Sequence, residues 1–154
     1  MTLMKIRNSL IAGLCGTSVH SLLALVHGKT GPLSEFQPNS DIQMGLSWLI
    51  GTEIHPGLAW LLWFVNGAVI WGFVFGQVYS SLPGKNPWQK GFFFAICAWA
   101  AMGFVFFPLV DRGVFAVRLG LGIAPAILLL VMLLAYSVTM SLVYHLLESW
   151  SDLD

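Results

Sequence analysis

The chain has 154 residues, 57% hydrophobic and only 9% charged, with seven basic side chains balancing seven acidic ones. Soluble domains carry about 25% charge, so water is excluded as the solvent for most of this surface. A net charge of zero leaves no basic face for nucleic acid, which is excluded as a partner.

Four apolar stretches, about Ser9–His27, Leu58–Leu82, Gly91–Val110 and Leu119–Leu147, are each long enough to cross a bilayer core, which takes about 20 helical residues. They predict an all-α polytopic membrane protein. The expected architecture is a four-helix transmembrane bundle in a single domain over residues 1–154, with helices at about 6–27, 57–82, 91–110 and 119–147.

Lys5 and Arg7 precede the first run as in a signal peptide. The run continues to Val26, longer than a signal h-region, so a retained first helix is expected. Gly28, Gly31 and Pro32 close it. In the long loop after it, Asp41 suits an N-cap. Ile42, Met44, Leu46, Trp48, Leu49 and Ile50 then predict a short interfacial helix over about 41–50, with Trp48 at headgroup level.

Pro56 fits the first position of the second helix, which carries Trp60, Trp63 and Trp71 and stops near Pro83-Gly84. The third helix is rich in phenylalanine and ends at Pro108. The fourth, taken from Leu119, would exceed the bilayer core. It must tilt or project, unless Gly120–Ala124 is not fully helical and Pro125 opens the regular part. Cys15 and Cys97 lie in apolar runs and read as small core residues.

Lys5, Arg7, Lys85 and Lys90 fall on one side of the bundle; Lys29, Arg112 and Arg118 fall on the other. That bias favours both termini in the cytoplasm, with the long first loop and the Asp111–Arg118 loop outside. Small residues form ridges that let helices approach: Ala68, Gly72 and Gly76 on the second helix, and Ser9, Gly13, Thr17 and Ser21 on the first.

Polar groups inside a membrane are costly and often functional. His20 lies in the middle of the first helix, at a depth similar to Asn66, so an interhelical hydrogen bond between them is expected. His55, Asn66 and Gln77 recur at steps of eleven residues, which on a regular helix puts them on one face. His20, Asn66 and Gln77 are therefore the candidate ligand-binding set, for a quinone, a lipid or a tetrapyrrole pigment. His27, Glu53, His55, Asp111, Arg112 and Arg118 form a second polar cluster at the outer edge, and His145 stands alone near the end of the last helix. No ligand spacing assigns a metal, and no motif assigns catalytic residues or a cofactor.

Several local patterns together resemble a family. They are Ala12-Gly13-Leu14-Cys15-Gly16-Thr17 in the first helix, His55-Pro56-Gly57 opening the second with Gly72, Gly76 and Tyr79 further along, Trp88-Gln89-Lys90-Gly91, and Tyr144-His145. The chain resembles an uncharacterised family of small four-helix bacterial inner-membrane proteins, a domain of unknown function. The resemblance implies the fold and no activity; His20 stands where it implies an apolar residue such as methionine. The small-residue ridges, dense aromatics and missing catalytic motifs point first to a non-catalytic accessory or scaffold subunit, of a larger energy-transducing membrane complex, whose partners are lipid and other membrane subunits or itself. A binder of a hydrophobic small molecule between the first two helices is the alternative, and an oligomeric small permease the second alternative.

Overall fold

The computed structural model describes residues 3–30, 43–45, 47, 50–53 and 55–151. Among these residues there are helices and no strands. Four of the helices are long and apolar enough to cross a membrane: α1 (Leu3–Thr30), α2 (Pro56–Val78), α3 (Pro87–Leu109) and α4 (Ala124–Ser151). The protein is a multi-pass membrane protein built as a four-helix bundle.

Local chemistry sets the helix ends. Pro56 starts α2, and the His55 Nδ1 atom accepts a hydrogen bond from the Gly57 N–H at 3.1 Å. Pro87 starts α3, where the Gln89 side chain reaches back to the N–H groups of Lys85 and Asn86. Helix α2 stops at Val78, short of Leu82, and gives way to tight turns. Pro83 restricts the residue before it, and Gly84 sits at φ +115°, a conformation open to glycine.

Helix α4 begins at Ala124 rather than Leu119. Gly120 and Gly122 are left-handed, and Val114–Leu119 is a separate short segment that is itself left-handed at Phe115 and Ala116. That shortens the last span. Of the expected interfacial helix at 41–50, residues 43–45, 47 and 50 are helical; the remainder, Trp48 included, lies outside the described residues. Gly45 lies against Val110, so this piece sits at the end of the bundle opposite the two termini.

Two spans contain wide π turns, Asn66–Trp71 in α2 and Met102–Phe106 in α3. The second has a local cause. Pro108 donates no backbone N–H and its ring crowds the turn before it, which a wider turn relieves.

The seam between α1 and α2 is the tightest part of the bundle. In opposite chain directions, Ser9 meets Gly76, Gly13 meets Gly72 and Ala68, and Thr17 meets Gly67. A Cβ at Gly13 would collide with the Ala68 carbonyl, and one at Gly72 would lie 2.8 Å from the Ser9 carbonyl oxygen. The small-residue ridges of both helices are thus spent on each other. Gly16 packs on Tyr136, and Gly91 brings α3 onto α4 at Ser137, Val138 and Ser141. Helices α2 and α3 are bridged by rings instead: Phe94 lies 5.9 Å from Trp71 and 5.0 Å from Phe75, both near perpendicular.

Two buried clusters result. One, towards the termini, holds Ala12, Phe75, Tyr79, Phe94, Tyr136, Met140 and Tyr144. The other holds Phe107, Ala116 and Leu129, flanked by Trp99, Met102 and Phe106. Leu22, Leu61, Ile70, Phe104, Val131 and Leu146 stay exposed, as suits side chains solvated by lipid tails. Cys97, expected in the core, is exposed too: it lies on the outer face of α3, and Cys15 is half-buried.

Candidate functional site

Between residues 17 and 21 the α1 helix carries four polar side chains, Thr17, Ser18, His20 and Ser21, of which Ser18 is exposed. No formal charge occurs anywhere in residues 8–27, 56–84 or 119–147, so this part of the bundle is neutral throughout. Thr17 is 1% exposed and His20 4% exposed. The His20 ring centroid lies 5.2 Å from that of Trp63 on α2 and 6.2 Å from that of Tyr136 on α4, the latter edge-on at 88°.

Tyr136 ties the three helices together. Its hydroxyl donates to the Gly67 carbonyl at 2.7 Å, inside the π turn of α2. The turn leaves that carbonyl accessible to a partner from another helix. Gly67 is required there, because an added Cβ would lie 2.7 Å from the Thr17 Oγ1 atom.

The hydroxyls are the unusual feature. A serine or threonine in a helix commonly donates to the carbonyl four residues back. Ser9 does so to Lys5 at 2.7 Å, and Ser18 to Leu14 at 2.8 Å. Thr17 and Ser21, on the same helix, do not: their buried oxygens have no hydrogen-bond partner among the described residues. Thr17 lies beside the Tyr136 phenol, yet makes no hydrogen bond of normal geometry with it. The Ser137 hydroxyl on α4 is in the same condition.

Of the expected set of His20, Asn66 and Gln77, it is Gln77 that stands apart. His20 meets the rings of Trp63 and Tyr136, and no hydrogen bond joins it to Asn66 among the described residues. The eleven-residue stripe fails for a geometric reason. A π turn lies between Asn66 and Gln77 and inserts an extra residue, which rotates the rest of α2 by about 100°. Asn66 opens that turn; Gln77 is exposed at the far end of α2, beyond the closed Gly13–Gly72 contact, and has a partner of its own.

The outer cluster lies at the end of the bundle opposite the two termini. Arg118 pairs with Asp111, both well exposed, and His55 caps α2. Glu53 is exposed, while His27 and Arg112 are half-buried with partners. Among the described residues no three His, Cys, Asp or Glu side chains gather as a metal site would require. His145 is exposed on α4.

Sequence reasoning passed over Trp63 and Tyr136 as site residues. A signal for Tyr136 was present: a phenol midway along an apolar helix, straight after an aliphatic run, needs a hydrogen-bond partner. The family comparison agrees with this architecture in scope. The model for a family of unknown function, DUF6789, matches residues 3–154. The chain belongs to that family. No curated protein and no solved structure matches it.

Proposed function

We propose that this DUF6789 chain is a non-catalytic binder of a hydrophobic small molecule, held within the bilayer at His20, Thr17, Ser21, Trp63 and Tyr136. One observation carries the reading: the buried hydroxyls of Thr17 and Ser21 lack partners on the same stretch of α1 as a buried imidazole. Each buried polar group left unsatisfied costs about 1–3 kcal/mol, and such groups call for an occupant or a function. The π turn opposite them adds support, because these turns recur at functional sites.

The accessory-subunit reading drew on ridges of small residues. Those ridges are used inside the bundle at Gly13, Gly72 and Gly91, so they lend it little weight. A permease needs a polar path, and the charge-free spans offer none within one copy. The exposed aliphatic residues support lipid as the surrounding partner. The bias of Lys5, Arg7, Lys85 and Lys90 supports cytoplasmic termini, and the family resemblance implies a bacterial inner membrane.

The test is chemical analysis of what co-purifies. The full chain and a Thr17→Val variant are extracted in mild detergent, and the bound organic molecules are identified by mass spectrometry. The native chain is expected to retain a hydrophobic molecule in fixed ratio that the variant loses. The same extract from both proteins would refute the proposal.

A further inference from the structure

We infer that the occupant of the His20 site is an uncharged single-ring molecule bearing its own oxygen, of the kind found in a benzoquinone or phenol headgroup. This rests on the ligand-binding reading and narrows it.

Charge is the first restriction. With no Asp, Glu, Lys or Arg in residues 8–27, 56–84 or 119–147, an ionic ligand would be buried without compensation. Hydrogen-bonding capacity is the second. Thr17 and Ser21 each bring one donor and two acceptor positions, and neutral His20 one of each. Tyr136 already donates to the Gly67 carbonyl, which leaves its oxygen as an acceptor. A ring carbonyl accepts from the hydroxyls or the imidazole, and its reduced hydroxyl form can donate to the same groups, so both redox forms are accommodated.

Shape is the third restriction. Trp63 and Tyr136 present flat faces and edges around the imidazole. Below this level the seam is shut by Thr17 against Gly67 and by Gly13 against Ala68. His20 is only 4% exposed, so an occupant must displace side chains, and a single ring displaces fewer of them than a macrocycle. Trp63 is half-buried and its neighbours Leu61 and Leu62 are exposed, so this face of the site is the one nearest the lipid.

The experiment uses the full chain in dodecyl maltoside with ¹⁵N-labelled histidine. Decyl-substituted benzoquinone is titrated in while the imidazole resonances are followed by NMR; His20→Phe assigns the His20 signal. A saturable shift of that signal is expected. Thr17→Val, which keeps the shape and removes the hydroxyl, is expected to weaken binding at least tenfold while its melting temperature without ligand stays near native. Absence of a saturable shift overturns the inference, as does equal affinity in Thr17→Val. A saturable His20 shift with phosphatidylglycerol or haem but none with the quinone overturns the ring assignment and leaves a small-molecule site standing. No response to any of the three, with only solvent exchange at the ring, means the site holds water and overturns both readings.

Discussion

The α1–α2 seam yields the sharpest test of the fold, through Gly72→Ala. The new Cβ would stand 2.8 Å from the Ser9 carbonyl oxygen and 3.0 Å from the Gly13 Cα. Ordinary C···O contacts begin near about 3.3 Å and C···C contacts near about 3.5 Å, so the helices must part by roughly 0.5 Å. Both obstacles are backbone atoms of α1, and no rotamer change relieves them. A gap of about 0.5–1 Å forfeits a quarter to a half of each dispersion contact along the seam. In lipid those contacts are much of what holds helices together. The expected loss is about 2–3 kcal/mol, the upper part of the overpacking range, or roughly 30- to 150-fold in the unfolding constant. Unfolding in mixed micelles, monitored by circular dichroism, measures it, with the exposed Ser18→Ala as the control. The double variant with Gly13→Ala should cost less than the sum of the two, since the first separation makes room for the second methyl. A Gly72→Ala protein within about 0.5 kcal/mol of native would refute the close approach.

Other contacts set three further outcomes. Tyr136→Phe removes the 2.7 Å bond to the Gly67 carbonyl and should cost about 1 kcal/mol in the same assay, the scale of interhelical hydrogen bonds in lipid. Gly103→Ala would collide with the Phe115 ring, which Trp99 and Phe104 hold in place at 4.4 and 5.0 Å; a loss of about 1–3 kcal/mol is expected, and a double-mutant cycle with Phe115→Ala should show strong coupling. Arg118→Ala breaks an ion pair whose side chains are 62% and 89% exposed, so thermal melts should differ from native by less than about 0.5 kcal/mol.

The four spans were legible because they depend on a bulk property, the length of apolar runs against bilayer thickness. The ridges were legible for a similar reason: Gly13, Gly72 and Gly76 recur at a helical spacing, and close approach is the main use lipid leaves for such residues. The boundaries near Leu82 and Leu119 were less so. Both stretches are apolar enough to continue a helix, and it is Pro83 with Gly84, and Gly120 with Gly122, that override composition there. Phe115 and Ala116 at φ 51° and 59° left no sequence signal, since neither residue favours that conformation; the Phe115 ring packs against Gly103, Trp99 and Phe104.

The candidate site was half legible, and the missing half traces to one irregularity. His20 stands out in any reading of an apolar helix. Its expected companions were chosen by counting along a regular α-helix from His55 to Gln77, and that count assumes 3.6 residues per turn throughout. The wide turn at Asn66–Trp71 breaks the phase between Asn66 and Gln77. Its carbonyl at Gly67 is taken by Tyr136, a residue 69 positions away in sequence. The turn and its partner on α4 therefore support each other: without the phenol the carbonyl loses its acceptor role, and without the turn the phenol has no carbonyl facing it. A pairwise cause of that kind cannot be read from either segment alone.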